Sequence, residues 1–205
     1  MKTNPAIVFD LGGVLVDWNP RYLYRKLFAG DEAAMERFLA EVCTGEWNAR
    51  QDAGRPLSAA TEALIAEHPA HEALIRAYYD RWGEMVAGAI EGTVEILAAL
   101  KEKGHSLYAL SNWSAETFPI ARRRFSFFDH FDHLVISGEI RLVKPDREIF
   151  DHLLDIARRP AGECVFIDDS PGNVTAAVAL GFDAIHFRSP EQLRAALGER
   201  GILTD

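Results

Sequence analysis

Residues 7–16, Ile7-Val8-Phe9-Asp10-Leu11-Gly12-Gly13-Val14-Leu15-Val16, decide how the rest of the chain is read. Three bulky apolar residues run into a carboxylate, and paired glycines then break the run. The stretch predicts a buried strand that carries Asp10 to its C-terminal end, followed by a turn through Gly12 and Gly13. Open α/β sheets bind ligands beyond the carboxyl ends of their strands, which places Asp10 where chemistry is done. A strand-end Asp can equally bond its own turn, so the choice rests on what the other strands bring.

Around that stretch lies an ordinary globular composition. The chain has 205 residues, 48% of them apolar and 26% charged, enough for one sizeable core that carries an insertion. A formal net charge of -9, from 22 Lys plus Arg against 31 Asp plus Glu, speaks against nucleic acid or an anionic membrane as partner. An anionic substrate stays open, because one Lys or a metal in a cleft reverses the sign locally. Cys43 and Cys164 lie far apart and form no metal-binding cluster, so a reduced, cytoplasmic setting is expected. Lys2 leads almost directly into the first strand without an apolar signal segment, and no later apolar run reaches membrane-spanning length.

Beyond Val16, Asp17-Trp18-Asn19-Pro20 punctuates the chain. From Tyr22 to about Val86 apolar residues recur at three to four residue spacing, with no strand signal. Helix breaks fall at Pro56 and at His68-Pro69. After Ile90 short strands and helices alternate: strands over 106–110, 134–136, 164–167 and 184–187, with helices over 94–100, 115–124, 146–157 and 174–180 between and around them. This rhythm predicts a three-layer, Rossmann-like α/β fold with a mostly parallel sheet covered on both faces. Residues 1–16 and 88–205 form the expected core, and residues 17–87 the expected helical subdomain, with a cleft between them.

Four strand-end signals then converge on one face of that sheet: Asp10, Ser111 with Asn112, Lys144, and Asp168 with Asp169. Adjacent carboxylates are costly unless a cation or hydrogen bonds compensate them, and with Asp10 opposite they suit a hard, oxygen-seeking ion such as Mg²⁺. A hydroxyl, an amide and an ammonium around them describe a pocket for a transferring phosphoryl group. Each feature also has a plain structural role open to it: Lys144 as a solvated helix-start lysine, Asp168-Asp169 as caps of the next helix. Their ordered arrival is the stronger signal.

The segments FDLGGVLVD (9–17), LSNW (110–113), KPDREIF (144–150) and FIDDSPGN (166–173) resemble, in order, the four motifs of the haloacid dehalogenase-like hydrolase superfamily. The helical stretch after the first strand is similar to its type-one cap. Within the superfamily the chain resembles the phosphatase branch around bacterial glucose-1-phosphate phosphatase and, more distantly, the N-terminal phosphatase domain of mammalian soluble epoxide hydrolase. The resemblance implies an Mg²⁺-dependent phosphomonoesterase working through an aspartyl-phosphate. It makes Asp10 the nucleophile, and gives the metal Asp10, the Gly12 carbonyl and Asp169, with Asp168 holding metal-bound water or Lys144. Ser111 and the Asn112 backbone then hold phosphoryl oxygens, while Lys144 neutralises Asp10 and the incoming phosphate.

One position departs from the pattern. Most superfamily phosphatases carry a second Asp two residues after the nucleophile as general acid and base, and here Gly12 stands there. Such assistance is worth about 10²–10⁴ in rate. Asp17 is the nearest surrogate, with a turn or cap role as its alternative. A sugar 1-phosphate, with its less basic leaving group, would lessen the need.

For the leaving group, Trp18, Trp47, Arg50 and Trp113 are the candidate contacts, Trp47 and Arg50 within an unusually polar and aromatic patch, residues 46–52, expected between helices. Trp47 and Trp82 are equally at home in the core of the helical insert. Phe125, Phe127, Phe128 and Phe131 are expected to pack against the sheet edge, with a homodimer surface as the alternative; a monomer or homodimer is expected. The partner read from these features is a small phosphorylated metabolite. Two other functions stay in view: a metal-independent 2-haloacid dehalogenase, against which the intact Asp168 and Asp169 count, and a non-catalytic module that binds a phosphorylated metabolite, which needs no nucleophile.

Overall fold

The computed structural model describes residues 4–203. The first strand, β1 (Ala6–Phe9), is followed by β2 (Val16–Trp18). Five helices come next, α1 (Arg21–Leu27), α2 (Glu32–Glu41), α3 (Gly45–Asp52), α4 (Leu57–Glu67) and α5 (Glu72–Asp80), and then β3 (Val86–Ala89). Helix and strand then alternate through α6 (Glu91–Glu102), β4 (Leu107–Ser111), α7 (Phe118–Arg124) and β5 (His133–Ile136). The chain ends with α8 (Ser137–Ile140), α9 (Arg147–Ala157), β6 (Cys164–Asp168), α10 (Pro171–Ala179), β7 (Asp183–His186) and α11 (Pro190–Glu199).

Five strands make one parallel sheet in the order β5-β4-β1-β6-β7. The strand order reverses at β1, the switch point at which such sheets open a crevice. All four residues of β1 are fully buried. Ile7 and Phe9 enter the larger core while Ala6 and Val8 enter the second, because successive strand residues face opposite sides. Each large side chain so buried contributes about 1.5–3 kcal/mol. On the second face α9 lays Ile149, Phe150 and Leu153 against the sheet, with Phe150 edge-on to Phe166 at 5.4 Å. This is the expected α/β core, and the helices between β2 and β3 are its small helical cap region.

Register then sets the site. Phe9 pairs with Ala109 on one side and with Ile167 on the other, and the Asp10 N–H donates to the Ile167 carbonyl at 2.8 Å. The residues that follow these strands are thereby brought to one edge.

The structure adds two features to the sequence reading and agrees with it on a third. Val86–Ala89 is a strand, paired antiparallel with β2 (Asp17 opposite Gly88), where the helical pattern ended at about Val86 and no strand was expected. Its sequence Val-Ala-Gly-Ala lacks alternation, and pairing with β2 is what holds it extended. Arg124 of α7 fastens this ribbon, donating to the carbonyls of Val86 at 2.9 Å and Ala87 at 3.2 Å. Second, α8 is a single extra turn after β5. Third, Phe127 and Phe128 are buried in the larger core and Phe131 meets Phe9 edge-on at 6.2 Å, which is the sheet-packing role. Among the described residues no helix is long and apolar enough to cross a membrane.

Candidate active site

Asp10 follows β1 directly. Its Oδ1 accepts the Leu11 N–H at 2.7 Å and lies 3.0 Å from the Lys144 ammonium, and Ser111 at the end of β4 adds a side-chain hydrogen bond. Burial raises the Asp10 carboxyl above the usual carboxylate range; the Lys144 charge opposes that rise and the Asp168 charge adds to it.

Lys144 is not at a strand end, as the sequence suggested. A loop between α8 and α9 delivers it, and Asn112 fixes that loop from both sides. The Asn112 amide donates to the Lys144 carbonyl at 2.9 Å and accepts the Lys144 N–H at 2.8 Å. Asn112 therefore has a side-chain task, holding Lys144 in place, that the sequence does not announce. Burial alone would lower the Lys144 pKa, but the charges of Asp10 and Asp168 reverse the effect and raise it, so the ammonium is retained.

Asp168, the last residue of β6, is fully buried and fully engaged. Oδ2 takes the Lys144 ammonium at 2.6 Å and the Asn173 amide at 3.1 Å, while Oδ1 takes the Ser170 N–H at 2.8 Å and Asn173 again at 3.1 Å. Asn173 is a site residue that went unassigned, although it closes the FIDDSPGN segment. Asp169 is different: it is exposed, and burial of its carboxylate, with the Asp168 charge second, raises its pKa. Gly13 lies against it at φ +72°, and a β-carbon there would overlap Asp169 Oδ2. The glycine is needed twice, for its left-handed backbone and for its missing side chain.

Asp10, Asp168 and Asp169 offer carboxylate oxygens within 4.8 Å of one another. Three acids face one ammonium, and every donor is a hard oxygen, which fits Mg²⁺ and not zinc. With both Asp168 oxygens taken by hydrogen bonds, the donors left for an ion are on Asp10 and Asp169.

Next to this cluster a cavity of about 80 Å³ is lined by Gly12, Trp18, Asn48, Asp52, Tyr79, Trp82, Asn112, Trp113, Ser114 and Thr117. It meets the cluster at Gly12 and Asn112. Trp18 lines it with its indole N–H buried and unpaired among the described residues, and Trp113 lines it while donating from Nε1 to Thr117 at 3.1 Å. Trp47 does not reach it: its ring is packed in the insert's core, 5.1 Å from Tyr78. Arg50 is on the surface, paired with Glu46 at 2.9 Å. Asp17 does not line the cavity either, and both its oxygens accept the Tyr22 hydroxyl, at 2.9 and 3.0 Å. The structure thus brings Asp10, Ser111, Lys144, Asp168 and Asp169 together, sets Gly12, Asn112, Trp18 and Trp113 beside them, and leaves Asp17, Trp47 and Arg50 outside. Asp52 is the acid that lines this cavity; it closes the polar patch 46–52, which was expected between helices and is instead helix α3.

A family model described as haloacid dehalogenase-like hydrolase matches residues 5–181. Among curated proteins, the sesquiterpene phosphatase astK of Aspergillus oryzae is 26% identical over 194 residues, covering 90% of each chain. The drimenol cyclase drtB of Aspergillus calidoustus is 29% identical over 104 residues, 49% of this chain, and the match spans only 20% of that longer protein. A solved haloacid dehalogenase family enzyme of Bacteroides thetaiotaomicron, in complex with magnesium and inorganic phosphate, superposes with a TM-score of 0.69 at 21% identity over 91% of this chain and 96% of that one.

Proposed function

The chain belongs to the haloacid dehalogenase-like hydrolases, and from that premise we propose that it is an Mg²⁺-dependent phosphomonoester hydrolase acting on a small phosphorylated metabolite. The observation that carries this reading is the cluster of Asp10, Asp168 and Asp169 around the single ammonium of Lys144. Three carboxylates against one cation repel an anionic substrate unless a second cation joins them. The magnesium and phosphate bound by the Bacteroides enzyme, and the phosphatase activity in the name of the Aspergillus relative, support the same choice.

In this reading Asp10 attacks phosphorus and becomes the aspartyl-phosphate. Ser111 holds a phosphoryl oxygen, and Lys144 cancels charge between the nucleophile and the incoming dianion. Asp168 orients Lys144, and Asn112 fixes the loop that carries it. Asp10, Asp169 and the Gly12 carbonyl would hold Mg²⁺, which when bound would supply Lewis-acid neutralisation of the phosphoryl oxygens. A metal-independent dehalogenase would leave Asp169 without a task beside a carboxylate substrate, and a pure binding module would leave Asp10 without one.

The leaving group faces the adjoining cavity. Aromatic walls from Trp18, Trp82 and Trp113, with the amide of Asn48 and the carboxyl of Asp52, suit a short polar group such as a sugar. The test is phosphate release from a panel of sugar, alkyl and para-nitrophenyl phosphates with Mg²⁺ or with chelator, beside halide release from 2-haloacids. Halide release, or no Mg²⁺-dependent phosphate release from any ester, would end the proposal.

A further inference from the structure

Gly12 leaves the site without a proton donor where its relatives are expected to carry one, and nothing lies within 4 Å of the place a β-carbon would take there. The open space faces the same cavity as Asp52. We propose that Asp52, contributed by the helical insert, is the acid–base residue that protonates the leaving oxygen and then activates water. The proposal rests on the phosphatase reading above and names the residue that completes it.

Two placements of Asp52 cost stability, which points to a task, and a third feature fixes its aim. It is the last residue of α3, where the helix dipole disfavours negative charge. It is half-buried, yet among the described residues it has no ion-pair partner. It is also held in a fixed direction: Asn48 donates to Oδ2 at 3.0 Å, the Ser114 N–H donates to it, and the Tyr79 hydroxyl steadies Asn48 by donating to its amide oxygen at 3.1 Å. A surface acid would need none of these bonds.

The surrounding groups favour its protonated form. Asp10 faces it from the end of β1 and Tyr79 from α5; Arg55 follows α3, and Arg141, after α8, packs on Gly54, but neither arginine pairs with it. Burial, opposed by the Ser114 N–H and assisted by the Asp10 charge, pushes the carboxyl up to about 7. Asp17 has no such place, since Tyr22 occupies its oxygens.

The chemistry balances over two steps. An Asp10 oxygen bonds to phosphorus, the ester P–O bond breaks, and the Asp52 proton passes to the leaving oxygen, which departs as the alcohol. Asp52, now a carboxylate, takes a proton from water as the hydroxide oxygen bonds to phosphorus. The bond between phosphorus and Asp10 then breaks, releasing hydrogen phosphate and restoring both acids.

The experiment compares the Mg²⁺-loaded wild type with Asp52→Asn on para-nitrophenyl phosphate, whose leaving group needs no proton, and on a primary alkyl phosphate, whose leaving group does. In rapid mixing Asp52→Asn is expected to release a burst of about one equivalent of para-nitrophenolate per enzyme and then turn over slowly. On the alkyl phosphate its kcat/KM is expected to fall by about 10²–10⁴-fold. In the wild type, kcat/KM for the alkyl ester falls with rising pH relative to the aryl ester as Asp52 loses its proton, and Asp52→Asn abolishes that difference. Equal losses in the phosphorylation step for both esters, or no loss, overturn the role of Asp52. Coincident pH profiles for the two esters in the wild type overturn it without any variant. A wild type inactive on every phosphate ester sinks the phosphatase reading and the role of Asp52 with it, whereas an active wild type matched by Asp52→Asn sinks the role alone.

Discussion

The ammonium of Lys144 lies 2.6 Å from Oδ2 of Asp168, with 1% of one side chain and none of the other exposed. At that depth either partner alone is an uncompensated charge. Lys144→Met should therefore lower stability by about 3–5 kcal/mol, the usual cost of breaking a buried pair, as well as abolish turnover. Denaturant titration gives the first quantity, and a midpoint equal to wild type would show that Asp168 finds its compensation elsewhere.

Asp10→Asn should behave in the opposite way on stability. Turnover should drop by about 10⁴-fold or more with the nucleophile gone, while the metal-free fold should be at least as stable as wild type, because a buried charge has been removed. Asp169→Asn should lose both rate and Mg²⁺ response. Circular dichroism melts beside steady-state rates check both; a destabilised Asp10→Asn would mean that its charge supports the fold.

The raised Asp10 pKa fixes the sign of a pH effect. The folded protein binds this proton more tightly than the unfolded chain does, so in the metal-free protein stability falls as pH rises from the ordinary value, 3.8, to about 6, and levels off above. Asp169, shifted the same way, adds to the trend. Mg²⁺ should reverse it, raising the melting temperature more at pH 7 than at pH 4, since it binds the carboxylate forms. Calorimetry with and without Mg²⁺ at the two pH values reads the difference directly.

Gly13→Ala should impair metal binding without touching a reacting group. Its φ of +72° costs an L-residue about 1–2 kcal/mol, and the new methyl meets the Asp169 carboxylate. Isothermal titration with Mg²⁺ should show at least about tenfold weaker binding, equivalent to about 1.4 kcal/mol. Binding as tight as in wild type would mean that Asp169 can swing aside freely.

Gly12→Asp tests the division of labour with Asp52. Space is open for the side chain, so the variant should fold. In the wild-type background the gain on alkyl phosphates should be small if Asp52 already donates the proton, whereas in Asp52→Asn the added Gly12→Asp should recover about tenfold or more of the lost alkyl rate, within the range that general acids supply. Rate ratios between alkyl and aryl esters in the four proteins decide the matter. A large gain in wild type and none in the Asp52→Asn background would contradict it.

How far the sequence could be read follows from where each residue gets its position. Asp10, Ser111 and Asp168 end strands whose apolar runs are legible, so the sheet and its reactive edge could be drawn from pattern alone. Lys144 was recognisable by motif but not by place, because a loop and the Asn112 amide, not a strand, set its position. Asp52 carries no mark of its own beyond the polar and aromatic run that it closes. At the end of a polar helix it reads as a solvated acid, and only the folding of α3 against the segment after β4 turns it into the cavity. Trp47 and Trp18 are alike in sequence and differ in fate: Tyr78 and Tyr79 enclose the first within the insert, and the second lies on the ribbon at the cavity wall. Val86–Ala89 went unseen because its partner strand, not its composition, makes it a strand.

The ribbon of β2 and β3 means that the chain departs from the sheet and comes home at the same doorway, Val16 opposite Ala89. Seen from the sheet, everything from Asn19 to Met85 is the tip of one hairpin, and its ends are joined by the Asn19 N–H donating to the Met85 carbonyl at 2.8 Å. Closing such a tip depends only on the logarithm of its length, about 0.6 kcal/mol per doubling. The five helices can therefore be lengthened, trimmed or exchanged over evolution while the register that sets Asp10 against Asp168 is left undisturbed. If Asp52 supplies the proton, such an exchange would carry off the acid together with the wall of the cavity, and the nucleophile would remain behind as the inherited part.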